Sequence, residues 1–141
     1  MPMKKLTKLF LVLALSSSAL AHTAVTSIQP GAHQTVTAPK VVSMSFNEAI
    51  PLKFATFKVF PLPAGDKLSL NRAAAALTKT ALLDRADADR RADTWAGGSG
   101  DATGVRVPLK PDLKAGAYAL VWRFLSDDGH VVTGQSVFYV R

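Results

Sequence analysis

The sequence predicts an all-β domain, a sandwich or a barrel, and three observations carry that expectation. Short runs of β-branched and aromatic residues recur along the chain. Several of them alternate apolar and polar residues with period two, and Pro, Gly, Asn and Asp punctuate them. The 141 residues suit one domain, because two separate cores would be starved of buried surface. There is no cysteine, which excludes a disulfide scaffold, Cys-ligated zinc, an iron–sulfur cluster and a thiol nucleophile. An apolar fraction of 48% with mixed charges argues against wholesale disorder.

Residues 1–21 have the three parts of a secretory signal. Lys4, Lys5 and Lys8 form a positive start, Leu9 to Leu15 an apolar stretch, and Ser16 to Ala21 a small-residue cleavage region. The apolar stretch is shorter than the roughly 20 residues that span a bilayer. Ala19-Leu20-Ala21 satisfies the A-x-A rule and would make His22 the first mature residue; Ser17-Ser18-Ala19 also qualifies and would expose Leu20. The His22 cut leaves residues 22–141 as one domain. It removes three lysines and no acid, lowering the formal charge from +7 to +4. The remaining basic residues are scattered, so they read as solubilising charge and not as a nucleic-acid surface. No later segment is apolar enough for stable membrane insertion.

In the mature region, Ala24 to Ile28 is a first strand, ended by Pro30-Gly31. Pro39 to Phe46 is a second, with Val42, Met44 and Phe46 on one face. Phe54 to Phe60 sets Phe54, Thr56, Lys58 and Phe60 against Ala55, Phe57 and Val59, and is stopped by Pro61 and Pro63. Val105 to Leu109 is a weaker strand. Ala117 to Leu125 and Val131 to Val140 are the clearest, and Asp127-Asp128-Gly129 between them predicts a hairpin or neighbouring strands. Residues 71–103 break the rhythm. Asn71 to Leu77 and Ala81 to Ala92 are rich in helix formers, and Gly97-Gly98-Ser99-Gly100 reads as a flexible link. This is an Ala-rich insertion, partly helical or mobile.

Two of the three histidines hold unusual places. As a mature N-terminus, His22 would carry a free amine beside its imidazole, and the amine nitrogen and Nδ1 can close a six-membered ring on one metal ion. In an extended segment, Asp128 and His130 point to the same side. Three nitrogens and one carboxylate oxygen suit one Cu(II) ion; zinc accepts the same atoms but ranks below Cu(II) in affinity. Met44 is the single methionine outside residues 1–21, so no thioether Cu(I) site is available. The plain alternatives remain open. Asp127-Asp128-Gly129-His130 is also an ordinary turn, and a histidine at position 22 has no need of a role. His33 reads as a loop residue, Asp127 as solvated. Glu48 is either an exposed strand-end acid or a group that orients a metal-binding imidazole.

Taken together, the mature region resembles the copper-resistance protein C family of periplasmic copper carriers. The resemblance rests on His22 as the exported start, the Pro30-Gly31 turn, the run from Pro39 to Phe46-Asn47-Glu48, and above all the stretch from Tyr118 to Gly134. There a Tyr-x-x-x-Trp-Arg strand precedes Asp-x-His and then Gly. The resemblance implies a Greek-key, immunoglobulin-like β-sandwich or barrel and a non-catalytic role in copper homeostasis and resistance. It implies His22, Asp128 and His130 as Cu(II) ligands and Glu48 as a supporting acid. It also implies sequestration or delivery of copper, with an inner-membrane copper transport protein as partner. The family's Met-rich loop for Cu(I) has no counterpart here. The competing readings are a copper-dependent oxidase resembling polysaccharide monooxygenases, which also use an N-terminal histidine, and a metal-free immunoglobulin-like module.

Overall fold

Neighbouring side chains on a strand point to opposite faces, so a strand apolar at every position must be covered on both sides. The run Ala117-Tyr118-Ala119-Leu120-Val121-Trp122 is of that kind, and it lies at the centre of the fold. It belongs to strand β6 (Gly116–Leu125), which pairs with β7 (Val131–Val140) in an unbroken antiparallel register from Gly116↔Val140 to Leu125↔Val131. The structure, a computed structural model, describes residues 22–141; the expected signal segment lies outside the described residues.

The remaining strands are β1 (Val25–Gln29), β2 (Thr35–Val36), β3 (Val41–Pro51), β4 (Thr56–Pro61) and β5 (Asp101–Pro108). They form two open sheets, ordered β1-β3-β5 and β2-β7-β6-β4. Every pairing is antiparallel except the short parallel contact of β2 with β7. The architecture is a two-sheet sandwich of the Greek-key kind and not a closed barrel. Between the sheets sit Val42, Met44 and Phe46 of β3, Phe57 and Val59 of β4, and Val105 and Val107 of β5. Tyr118, Leu120, Trp122 and Phe124 of β6 and Phe138 of β7 complete the core. The alternation expected for β3 holds, with β3 running on to Pro51 past an irregularity in register between Ser45 and Ile50. That expected for β4 holds from Thr56 on, Phe54 lying instead in a short 3-10 turn, Leu52–Phe54.

The second face of β6 is covered by the insertion. Helix α1 (Lys67–Thr80) sets Leu70 and Ala74, one turn apart, against Ala117, Ala119, Val121 and Val137. Alanines on both sides let the helix lie close to the sheet. The helix starts before the expected Asn71 because Asp66 caps it, its carboxylate accepting from the Ser69 backbone N–H at 2.8 Å. No helix among the described residues is long and apolar enough to cross a membrane.

The second helical expectation, Ala81 to Ala92, is not met. Asp84 and Asp87 within it and Asp93 just after it bond to backbone and to cations, and local side-chain-to-backbone bonds of this kind compete with a helix. Asp84 accepts from the Ala86 N–H at 2.9 Å, and Asp93 accepts from the N–H groups of Val59 and Trp95 at 2.6 and 2.9 Å. Asp87, 2% exposed, meets the buried Lys58 ammonium at 2.7 Å, and Lys58 also donates to the carbonyls of Ala81 and Asp84. Arg91 is paired with Asp93. This part of the insertion is therefore packed onto β4, not loose. Its last residues, from Asp101, join β5 and pair with Ile50 and Pro51.

Candidate metal centre

The β6–β7 connection is five residues long, from Ser126 to His130, and its backbone is closed locally. Ser126 N–H donates to the His130 carbonyl at 2.8 Å, and Gly129 N–H donates to the Ser126 carbonyl at 2.9 Å. Gly129 has φ of +82°, a conformation that a residue without Cβ takes at little cost. This turn holds Asp128 and His130 together. The Asp128 Oδ2 to His130 Nδ1 distance is 2.8 Å.

The third member arrives from the other sheet. β1 pairs with β3 in the three-stranded sheet, and the residues ahead of it run across the end of the sandwich to the β6–β7 loop. His22 Nδ1 lies 3.2 Å from Asp128 Oδ2, and the two imidazole centroids are 6.5 Å apart. One nitrogen from each histidine and one Asp128 oxygen all lie within 4.8 Å of one another. Ligands at about 2.0 Å from a common ion are at most about 4 Å apart, so small side-chain rotations bring this trio onto one metal. The imidazoles are open to solvent, with side chains 68% and 77% exposed, while Asp128 is 21% exposed.

The carboxylate is divided between two tasks. Its Oδ1 accepts from the Ser126 hydroxyl and from the His130 backbone N–H, which leaves Oδ2 facing both rings. The Ser126 hydroxyl, and after it the His130 imidazole, hold the Asp128 carboxyl well below the usual carboxylate range. The group stays ionised, as a metal ligand must be. Ser126 itself is 5% exposed, so its hydroxyl has a fixed place from which to donate.

The other residues singled out in the sequence fall elsewhere. Glu48 accepts a hydrogen bond from the Thr23 hydroxyl at 3.3 Å and reaches the site through it, with no bond to an imidazole. Asp127 is exposed, as expected. His33, in the turn before β2, joins two elements, β7 and α1, its ring nitrogens 2.6 Å from Tyr139 Oη and 3.1 Å from Asn71 Oδ1. Tyr139 is near the far end of β7, roughly 27 Å along the strand from Val131, so His33 stands apart from the trio. Ser126 was missed by sequence reasoning although a serine two residues before an aspartate was a usable signal. Thr23 gave none, since its partner lies 104 residues away.

The Trp-Arg strand and the glycine after Asp-x-His are linked by packing. Gly134 faces Trp122 across the ladder, and a Cβ there would clash with the indole ring, 2.4 Å from its nearest atom. The chain is similar to known copper resistance proteins. Copper resistance protein C of Escherichia coli is 29% identical over 131 residues, spanning 93% of this chain and 90% of that protein. Copper resistance protein C of Xanthomonas campestris pv. juglandis is 29% identical over 126 residues, spanning 89% and 85%. The crystal structure of PcoC, a methionine-rich copper resistance protein from Escherichia coli, shares the fold with a TM-score of 0.58 at 23% identity. It spans 86% of this chain and 100% of that one. CopC from Methylosinus trichosporium OB3b does so with a TM-score of 0.55 at 20% identity, over 84% and 93%. Residues 25–141 match the CopC domain, and the chain belongs to the CopC family of copper resistance proteins.

Proposed function

We propose that residues 1–21 direct export and are removed, and that the protein beginning at His22 binds one Cu(II) ion in the periplasm. The ligands are the His22 amine nitrogen and Nδ1, Asp128 Oδ2 and a ring nitrogen of His130. The protein acts as a non-catalytic carrier that sequesters copper or delivers it to an inner-membrane copper transport protein. One observation supports the reading: ligand atoms of His22, Asp128 and His130, residues from opposite ends of the chain, lie within 4.8 Å of one another. The donor set is nitrogen and oxygen, which favours Cu(II) over Zn(II). The sulfur that Cu(I) prefers is absent from it, for Met44 is 2% exposed between the sheets.

The test is a Cu(II) titration of protein that starts at His22, followed by electron spin resonance and melting. The expected result is one equivalent bound with a nitrogen-rich signal. At a free concentration 100 times the dissociation constant, binding to the folded state alone adds about 2.7 kcal/mol of stability. Acetylating the His22 amine removes its basic lone pair without supplying a new amine, and affinity falls as the chelate ring is lost. Unchanged melting on copper addition overturns the copper reading; unchanged affinity after acetylation of the His22 amine overturns the terminal chelate.

A further inference from the structure

A chain end frays unless something ties it down, and His22 stands only three residues before its first strand. Three side chains hold it. Asn47 of β3 bonds the backbone on both sides of Thr23: its Oδ1 accepts from the Ala24 N–H at 2.7 Å, and its Nδ2 donates to the His22 carbonyl at 3.2 Å. Thr23 then turns inward, 3% exposed between two exposed neighbours. Its hydroxyl accepts from the Asp127 N–H at 3.0 Å and donates to a Glu48 carboxylate oxygen at 3.3 Å. A hydroxyl is the smallest side-chain group able to accept and donate through one atom.

We infer that Thr23 is the positioning residue of the metal centre, a clip that ties the residue after the terminal ligand to the residue before the loop ligand. Asn47 and Glu48 are its anchors. The inference rests on the copper-binding reading above. With the clip closed, His22 and Asp128 are registered to each other through one oxygen atom. Without it, the terminal histidine must be ordered anew each time metal binds, and affinity falls. Glu48 thus supports the site by holding Thr23 and not by orienting an imidazole.

The experiment compares Thr23→Val, Thr23→Ser, Asn47→Ala and His130→Ala with the parent, each beginning at His22, by Cu(II) titration and spin resonance. Valine keeps the shape and removes the hydroxyl; serine restores it. Thr23→Val is expected to bind 10–100-fold more weakly and to give an altered or mixed copper signal at saturation. Thr23→Ser should return both to parental values. Asn47→Ala, which loosens the same segment without touching the buried hydroxyl, should shift affinity in the same direction and covers the case in which the valine variant fails to fold. Parental affinity and signal in Thr23→Val, or in Asn47→Ala should the valine variant not fold, overturn the clip. Failure of serine to restore them overturns it too. If His130→Ala binds as the parent does, the ligand assignment itself falls, and the clip with it.

Discussion

Replacing Lys58 with methionine tests what holds the insertion to the sandwich. The Lys58 side chain is 4% exposed and Asp87 is 2% exposed. The ammonium has three bonds, at 2.7 Å to Asp87 Oδ2, 2.7 Å to the Ala81 carbonyl and 2.6 Å to the Asp84 carbonyl. Lys58→Met fills much the same space but leaves Asp87 with Arg91, 3.8 Å away, as its remaining cation. Two carbonyls lose this donor as well. Removing one partner of a buried pair costs about 3–5 kcal/mol. At roughly 4 °C per kcal/mol for a domain of this size, Tm falls by about 12–20 °C. Urea unfolding of the metal-free protein measures the loss. Tryptophan emission reports it locally, because Trp95 packs edge-on against Phe57 at 5.2 Å where the insertion meets β4. Asp87→Asn and the double variant close the cycle, and the double should be less destabilised than the sum of the singles by about 0.5–3 kcal/mol. A loss below about 1 kcal/mol for Lys58→Met, or strict additivity, refutes the claim that this pair fastens the insertion.

Two further predictions follow from single contacts. Gly134→Ala drives a methyl into the Trp122 ring, which is buried against the core; overpacking costs about 1–3 kcal/mol. Urea unfolding and near-ultraviolet dichroism read it, and a neutral substitution shows that the indole moves aside freely. Ser126→Ala removes the largest influence that holds the Asp128 carboxyl below its ordinary 3.8. A carboxyl lowered by folding adds stability that is present above the ordinary value and is lost as pH falls through the folded one. In the variant the Asp128 titration therefore moves up toward 3.8, and acid destabilisation of the metal-free protein moves with it. Carbon-13 resonances of the carboxyl follow this directly, and an unmoved titration refutes the role given to Ser126.

The strands were legible where alternation was strict and turns were local. β6 and β7 fall where Ala117 to Leu125 and Val131 to Val140 placed them, because Asp-Asp-Gly closes a hairpin through nearby backbone bonds. The helix start at Lys67 was also in the sequence, as Asp66 and Ser69 three residues apart, but lies ahead of the Ala-rich stretch from Asn71 to Leu77. Ala81 to Ala92 misled because helix propensity is a weak prior, and the pull of Lys58 and Val59 on Asp87 and Asp93 comes from a strand more than 25 residues earlier. The candidate site divides in the same way. Asp128 and His130 form a local pattern that spacing reveals, whereas the docking of His22 depends on Thr23 and Asn47, whose bonds span 23 to 104 residues.

The wide separation of the converging residues in the chain bears on when copper can be captured. On the carrier reading, a polypeptide still under synthesis owns His22 long before it owns the final hairpin. A finished precursor still has a peptide nitrogen where the amine must be. On that same reading neither form has the full donor set, and the complete four-donor site is expected only after translocation, cleavage and closure of the sandwich.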